Sequence, residues 1–363
     1  MRVAQSKGTL AEGGGLWSPC RLCSGRGFDR VYRACVDRRG GTPGAFDIVR
    51  CRTCGLMRTE PYPYPRQAPG RVLTVALTPG PTASDHVGGD PPGAGPVQSM
   101  PWLGRGRASP ARERGVTKGR GEGGPTTGMR AWARAVAWAP YRLRYGPVDA
   151  WPRPWPGAQR ALDLGCGDGA LLARLAGLGW DVWGIEPDPN AAAAAERAVG
   201  LPGRIMRGPA EDASYPTGFF DLITLTHSLE HLDDPVLVLS RARRWLQPGG
   251  LLRVQVPNIA GIEARLFGRL WHGLDVPRHR HHFSPATLAL LLHRSGFLVR
   301  RCQPEAQATL LAGSLTAVVQ TATGRSLSAR TARLLYLLTV PVASTLAAFG
   351  LGGSIDVTAV PRP

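Results

Sequence analysis

From about residue 129 onward, short apolar runs alternate with segments whose apolar residues recur every three or four positions. Apolar runs bounded by turn residues predict buried strands, and the wider spacing predicts helices. Strands alternating with helices favour an α/β domain with a parallel sheet. We predict strands at 160–165, 181–187, 203–208, 219–226, 251–258, 297–303 and 354–360, and helices at 169–179, 189–200, 234–250 and 284–296.

Several of these helices carry recognisable end signals. Asp234 and Pro235 form a helix start, Ser284 is a cap, and Gly200 closes the alanine-rich helix before it. Side chains that cap free N–H groups and a glycine past the last turn mark helix boundaries. We therefore expect the helix that begins at Asp234 to stop at the Pro-Gly-Gly of 248–250.

The chain upstream of residue 129 has a different composition. Residues 66–128 contain 23 Gly or Pro among 63 positions, a level typical of unfolded, low-complexity chain. We predict a disordered linker there, with RVLTVAL (71–77) as an isolated strand candidate. The linker separates a cysteine-bearing module at 18–62 from a catalytic domain at 129–363.

The charge is strongly positive, and nearly all of it comes from arginine. The formal net charge is +18, with lysine only at Lys7 and Lys118. Such an excess favours nucleic acid, anionic lipid or phosphorylated partners, although a GC-rich genome would produce the same bias without function. Residues 1–20 lack the apolar core of a secretory signal, so we expect a cytoplasmic protein.

Four of the seven cysteines are paired as C-x-x-C. Two such turns, 27 residues apart, can place four thiolates around one tetrahedral zinc ion. Four unrelated thiols are the alternative, and Cys35 is left over. The predicted zinc ligands are Cys20, Cys23, Cys51 and Cys54.

A glycine-rich turn follows the first strand of the catalytic domain. LDLGCGDGA holds Asp163, Gly165 and Gly167, and Glu186 ends the next strand. Glycines let the main chain approach a ligand closely, and an acid at the second strand end can accept ribose hydroxyls. Gly165, Gly167 and Ala170 also fit a dinucleotide fingerprint, but an acid two residues before the first glycine favours S-adenosylmethionine (SAM).

From about 160 to 300 the chain resembles the class I SAM-dependent methyltransferases. The matching stretches are LDLGCGDG, GIEPDP, GPAEDASYPTGFFDLITLTHSLEHLDDP and LQPGGLLRVQVPN. The resemblance implies a Rossmann-like seven-stranded domain in which Glu186 holds the ribose, while Ala210 and Glu211 flank the adenine. Pro209 stands where many members carry an aspartate. The implied cofactor residues are Asp163, Gly165, Cys166, Gly167, Glu186, Pro187, Ala210, Glu211 and Thr226.

THSLEHLDDP (226–235) contains an H-x-x-E-H pattern that can mark a zinc peptidase helix. A strand-like run precedes it and Asp234-Pro235 starts a new helix, so we exclude the peptidase. His227, Glu230 and His231 instead follow the fourth strand, where open α/β sheets bind ligands. They either deprotonate the acceptor or only organise the turn.

A second polar segment is DVPRHRHHFSP, residues 275–285. The family resemblance implies that this segment covers the active site. Arg278 and His279 are predicted to bind the acceptor, and His279 and His282 are candidate bases. A lid without chemistry is the alternative.

Residues 334–355 contain no charged side chain and are long enough to span a bilayer. The strand predicted at 354–360 should rejoin the sheet, which argues against spanning. We predict an apolar helical insertion at about 305–353 that covers the active site or contacts a membrane surface. A buried helix or a homodimer contact is the alternative.

These observations predict a SAM-dependent methyltransferase that methylates a small-molecule, sugar or glycolipid-type acceptor by in-line displacement. Methyltransferases with an N-terminal four-cysteine unit resemble enzymes that act on sugars or natural-product intermediates. An RNA methyltransferase, with the zinc ribbon and arginines holding phosphate, is one alternative. A non-catalytic scaffold is the other, which the intact glycine loop and Glu186 disfavour.

Overall fold

The computed structural model describes residues 18–40, 42–61, 73–74 and 152–363. They belong to one compact unit, and a second unit, residues 76–138, lies wholly outside them. The predicted linker at 66–128 therefore lies outside the described residues, apart from 73–74.

The cysteine-bearing module is a small antiparallel sheet. Its strands are β1 (Phe28–Val36), β2 (Ala45–Cys51) and β3 (Met57–Glu60). One C-x-x-C turn precedes β1 and the other joins β2 to β3. The strand candidate at 71–77 contains a two-residue strand, β4 (Leu73–Thr74), parallel to a second short strand at Ala213–Ser214.

Within the described residues, the central sheet has seven strands in the order β12-β13-β10-β9-β5-β6-β7. Strand β13 runs in the direction opposite to the other six strands of this sheet. This is the Rossmann-like α/β sheet that the sequence predicts. The strands after β4 are β5 (Arg160–Leu164), β6 (Asp181–Glu186), β7 (Ile205–Arg207), β8 (Ala213–Ser214), β9 (Phe220–Thr226), β10 (Leu246–Pro257), β11 (His281–His282), β12 (Phe297–Glu305) and β13 (Ser354–Pro361).

Two helices begin at the predicted capping residues Asp234 and Ser284, and a third begins at Asp188. The side chains of Asp188, Asp234 and Ser284 each accept main-chain N–H bonds of the first turn, and a proline follows each of them. The α-helices in the described part are α1 (Ala170–Gly177), α2 (Pro189–Val199), α3 (Pro235–Trp245), α4 (Ile262–Phe267), α5 (Pro285–Arg294), α6 (Ala308–Thr323) and α7 (Ala329–Ala348).

The prediction of a helix over 234–250 was wrong at its C-terminal end. The helix stops at Trp245, and residues 246–250 already belong to β10, where Leu246 pairs with Phe220. The register shifts between Leu246 and Leu251, so the Pro-Gly-Gly lies in an irregular strand entry. The helix therefore ends before Pro248, because pairing with β9 begins at Leu246.

The cysteine module continues into the catalytic domain through a shared sheet. In the order β1-β2-β3-β11, His281 and His282 pair with Arg58 and Met57. The module and the domain also share one hydrophobic core, in which Leu56 of the module and Leu288 of α5 are both buried. The histidine segment is therefore held from the module side.

Candidate active site

The turn between β5 and α1 brings main-chain groups to the carboxyl edge of the sheet. The N–H groups of Gly165 and Cys166 both donate to the Ile185 carbonyl, at 2.8 and 3.0 Å. Gly165 has φ 80°, and a Cβ added there would lie 2.5 Å from the Ser228 Cβ, so only glycine fits. The buried Ser228 hydroxyl has no hydrogen-bond partner among the described residues, which suits a polar ligand group at this point.

Glu186 joins the glycine loop to the end of β6. Its carboxylate accepts the N–H of Gly167 at 2.8 Å and the N–H of Asp188 at 2.9 Å. A Cβ added at Gly167 would meet nothing within 4 Å, so the loop is open on this side. A carboxylate keeps lone pairs for further donors, and Glu186 can therefore also accept ribose hydroxyls.

Asp163 lies beneath the loop and connects two strands. Its carboxylate is buried and accepts a hydrogen bond of 2.7 Å from the Thr224 hydroxyl. Burial and, less strongly, the charge of Glu186 raise the pKa of Asp163 to about 7, against the opposing hydrogen bond from Thr224. A cationic ligand group above the loop would favour the charged form of Asp163.

The residues predicted to flank the adenine form a short turn after β7. Ala210 and Glu211 lie in a 3-10 turn, and both are buried. The Glu211 carboxylate accepts the N–H of Asp233 at 2.8 Å and that of Asp234 at 3.3 Å. Glu211 therefore connects this turn to the one after β9.

The remaining predicted cofactor residues contribute main chain or edge positions. The Cys166 side chain points into the core, since a Cβ added at Gly184 would lie 2.7 Å from its sulfur. Pro187 is exposed just after β6, and Thr226 ends β9 opposite Gln255. Cys166 can therefore meet a ligand at the loop with its main chain but not with its side chain.

His227 stands at the carboxyl end of β9 in a left-handed conformation. Its φ of 53° is uncommon for a residue with a Cβ, and such strain is often found at active sites. The Nδ1 atom lies 3.5 Å from Glu230 Oε1, and Nε2 lies 3.0 Å from the Gln307 amide nitrogen. If Nδ1 carries the proton, the amide donates to the Nε2 lone pair.

Glu230 is fully buried among imidazoles. Burial favours its neutral form, but the imidazoles of His227, His279 and His231 beside it outweigh burial and lower the pKa of Glu230 to about 2. His279 Nε2 lies 3.9 Å from the same carboxylate. Burial lowers the pKa of His279 to about 4 although Glu230 opposes the change, so His279 is neutral near pH 7.

His231 completes this cluster at the surface. Its ring stacks edge-to-face on His279 with 4.7 Å between centroids, and Nδ1 lies 3.0 Å from the Arg278 carbonyl oxygen. One ligand atom from each of Glu230, His231 and His279 lies within 4.8 Å of the others. This spacing is compatible with a metal ion, although the Arg278 carbonyl already occupies one His231 nitrogen.

Thr59 of the cysteine module holds two of the histidines. Its hydroxyl donates to the His279 carbonyl at 2.7 Å and lies 3.0 Å from His282 Nε2. Burial first, and then the neighbouring histidines, lower the pKa of His282 to about 3. His282 is therefore a neutral donor to Thr59 and positions the segment.

Arg278 is engaged by two carboxylates. It donates to Asp37 at 2.8 and 3.1 Å and to Asp275 at 2.7 and 3.1 Å. These carboxylates raise the pKa of Arg278 despite its partial burial. Its guanidinium joins the module turn to the histidine segment, and an anionic acceptor group would have to compete with these contacts.

The four paired cysteines converge on one point. Sulfur distances are 3.6 Å between Cys20 and Cys54 and 3.4 Å between Cys23 and Cys51, and all four sulfurs lie within 4.8 Å of one another. A tetrahedral zinc with bonds of about 2.3 Å has sulfur–sulfur edges of about 3.8 Å. Cys35 is buried elsewhere in the module. The donor set therefore fits a structural zinc ion.

Sequence reasoning missed three residues of this site, namely Ser228, Gln307 and Thr59. Gln307 directly precedes α6, and Thr59 lies in β3. Ser228 stands inside the quoted H-x-x-E-H stretch, yet only its proximity to Gly165 gives it a role. No local pattern marks the other two, because each acts on a residue far along the chain.

The chain is similar to known proteins over part of its length. A family model described as a methyltransferase domain matches residues 130–301. The ubiquinone biosynthesis O-methyltransferase of Xanthomonas axonopodis pv. citri (strain 306) is 33% identical over 174 residues, covering 43% of this chain and 68% of the relative. The enzyme of the same name from Xanthomonas oryzae pv. oryzae (strain PXO99A) is 33% identical over 153 residues, covering 38% of this chain and 61% of the relative.

Solved structures resemble the chain more distantly. A chain from the complex between the Haloferax volcanii Trm112 methyltransferase activator and the putative methyltransferase has a TM-score of 0.44 and 17% identity. It covers 65% of this chain and 95% of its own length. A likeness of this size carries no information about acceptor or partner.

Proposed function

The chain belongs to the class I SAM-dependent methyltransferase family, and on this premise we propose that it methylates a hydroxyl group of a small-molecule acceptor, with His227 as the base. The alignments cover 68% and 61% of the first relatives, whose names state O-methylation. The observation that carries the proposal is the strained His227 at the strand end, backed by the buried Glu230.

The residues at the glycine loop fit the cofactor. Bound SAM supplies a methyl group activated by a sulfonium centre, and the enzyme has to align this group with the acceptor. Glu186 would hold the ribose, since its carboxylate already orders both Gly167 and Asp188. The unpartnered Ser228 hydroxyl beside Gly165 would meet the methionine end.

His227 would remove the acceptor proton. Glu230 beside Nδ1 favours the tautomer with its proton on Nδ1, which leaves the Nε2 lone pair available. An acceptor hydroxyl would replace the Gln307 amide at Nε2 and pass its proton there as the oxygen attacks the methyl carbon. Bound SAM would supply the methyl group and keep the electron pair of its carbon–sulfur bond as the carbon–oxygen bond forms, so charge and protons would balance. The imidazolium formed is stabilised by Glu230.

Titration calorimetry and a transfer assay test this function. SAM should bind saturably, and labelled methyl should pass to one or more members of a panel of phenols, sugars and glycolipids. His227→Gln should lower kcat by about 10²–10⁴-fold with an unchanged SAM affinity. His293→Gln, which alters an exposed histidine on α5, is the matched control.

Three outcomes separate the parts of the proposal. Transfer at the wild-type rate by His227→Gln would show that another group is the base. If the protein methylates RNA in a salt-sensitive way and methylates no small molecule, the acceptor is RNA and the proposed acceptor class is wrong. Absence of SAM binding by the folded protein would leave only a scaffold role.

We also propose that one zinc ion holds the cysteine module together. The sulfur distances support it, and so does the buried position of Cys20 and Cys51 in the shared core. Metal analysis should give one zinc per chain in the wild type and none in Cys51→Ser. A metal-free wild type that unfolds at the same urea concentration as the loaded protein would contradict this role.

A further inference from the structure

The helical hairpin α6–α7 exposes an apolar face. Five large apolar side chains, four on the solvent side of α7 and one directly after it, are 49% to 77% exposed and are called the outer row. By length and composition, α7 is the one helix in the described part of the chain that could cross a membrane. Within its most apolar 18-residue stretch, 11% is buried inside the protein. Because soluble surfaces rarely leave such rows uncovered, this face needs a partner. The row is Leu334, Leu337, Leu338, Val342 and Phe349.

Only a narrow stripe of α7 faces the protein. Thr339 and Ala343 are buried, and the Thr339 hydroxyl, which donates to the Tyr336 carbonyl at 2.8 Å, lies 3.3 Å from the Ala308 carbonyl oxygen of α6. Both ends of the hairpin are fixed to the sheet, since β12 precedes it and β13 follows it within the same sheet. The hairpin therefore projects from one side of the domain.

The charge of the hairpin is entirely positive. Residues 306–353 contain no Asp, Glu or Lys, and their only charged side chains are Arg325, Arg330 and Arg333. These arginines lie in the connection between the helices and in the first two turns of α7, next to the apolar row. None of the three forms an ion pair with any described residue.

We propose that the hairpin seats this protein on an anionic lipid bilayer, with the outer row of α7 in the headgroup region and the arginines on lipid phosphates. Apolar side chains flanked by arginine are the composition of helices that lie in the membrane interface. The proposal does not depend on the acceptor.

The residue that precedes the hairpin also contacts His227, the proposed general base. Gln307, directly before α6, contacts His227, and Ser314 of α6 accepts the N–H of His272 in the segment before the histidines. A hairpin seated on lipid would bring the acceptor side of the cleft near the bilayer. If the proposed function holds, this position suits an amphiphilic acceptor.

Vesicle flotation of the full-length, zinc-loaded protein tests the bilayer proposal. The protein should float with an equal mixture of phosphatidylcholine and phosphatidylglycerol, less with phosphatidylcholine alone, and less at high salt. The pair Leu337→Gln and Leu338→Gln should weaken partitioning by about tenfold or more. Exchanging Arg325, Arg330 and Arg333 for Gln should remove the preference for the anionic vesicles.

Matched controls and SAM binding separate the outcomes. Leu201→Gln with Leu298→Gln changes exposed leucines outside the hairpin and should leave flotation unchanged. SAM titration of every variant distinguishes loss of membrane binding from loss of fold or of methyltransferase function. Failure of the wild type to float with either vesicle overturns the proposal. A dimer in light scattering that the Leu337 and Leu338 exchange dissociates, without flotation, assigns the face to a second copy.

Discussion

Replacing Thr59 by valine should destabilise the protein although the two side chains have nearly the same shape. Thr59 is 2% exposed and belongs to the cysteine module, 220 residues before the carbonyl of His279 that it contacts. Its single proton goes to that carbonyl, so His282 Nε2 has to be the donor to the Thr59 oxygen. Valine removes both hydrogen bonds and leaves both partners in place.

The expected loss follows from those two orphaned groups. A buried donor or acceptor left without a partner costs about 1–3 kcal/mol. The additional buried methyl of valine returns about 1 kcal/mol. When the gain from the methyl is subtracted from the cost of the two unpartnered groups, the free energy of unfolding should decrease by about 3 kcal/mol.

Urea unfolding followed by tryptophan fluorescence measures this change. The midpoint should fall with little change in the slope, because the surface exposed on unfolding is the same. Thr53→Val makes the same exchange at an exposed position of the same module and should stay within about 0.5 kcal/mol of wild type. If Thr59→Val unfolds together with the Thr53→Val control, the module does not hold the histidine segment and the reasoning fails.

Two further predictions concern carboxylates. Glu186→Gln should weaken SAM binding by about tenfold or more in calorimetry, because the amide cannot accept the N–H bonds of both Gly167 and Asp188. The control Asp188→Asn keeps a capping oxygen and should bind SAM normally. Burial raises the pKa of Glu263 to about 7, against the nearby Trp271 indole. Its unfolded pKa is about 4.3, so wild type should lose stability relative to Glu263→Gln as pH rises from about 4 to about 7, with no further change above. A stability difference independent of pH across this range, measured by urea unfolding, would argue against a raised pKa.

Local chemistry explains why much of the fold could be predicted. Apolar runs gave the order of strands, and Asp234, Ser284 and Gly200 marked helix boundaries because capping depends only on neighbouring residues. The glycine loop and Glu186 were also predicted, since a turn with positive φ and an acid at a strand end follow from residue type and spacing.

Contacts between distant segments could not be predicted in the same way. Arg278 was expected at the acceptor, but its partner Asp37 stands 241 residues earlier. Gln307 meets His227 across 80 residues. Hydrophobic periodicity specifies which face of an element is buried, not which distant polar side chain will lie against it. The end of the helix at Trp245 was missed for a related reason, because pairing with β9 takes over there.

Two side chains near the proposed acceptor side of this site lie outside the stretch that the family model matches. The family model covers 130–301, whereas Thr59 and Gln307 both lie outside it. These two residues hold the His279 carbonyl and the Nε2 atom of His227. The cofactor loop, in contrast, lies inside the matched stretch. We therefore expect SAM binding to follow the family, and we propose that the cysteine module and the hairpin help to select the acceptor. An acceptor screen is better guided by these two additions, and so by amphiphilic hydroxyl compounds presented on anionic vesicles, than by the names of the relatives.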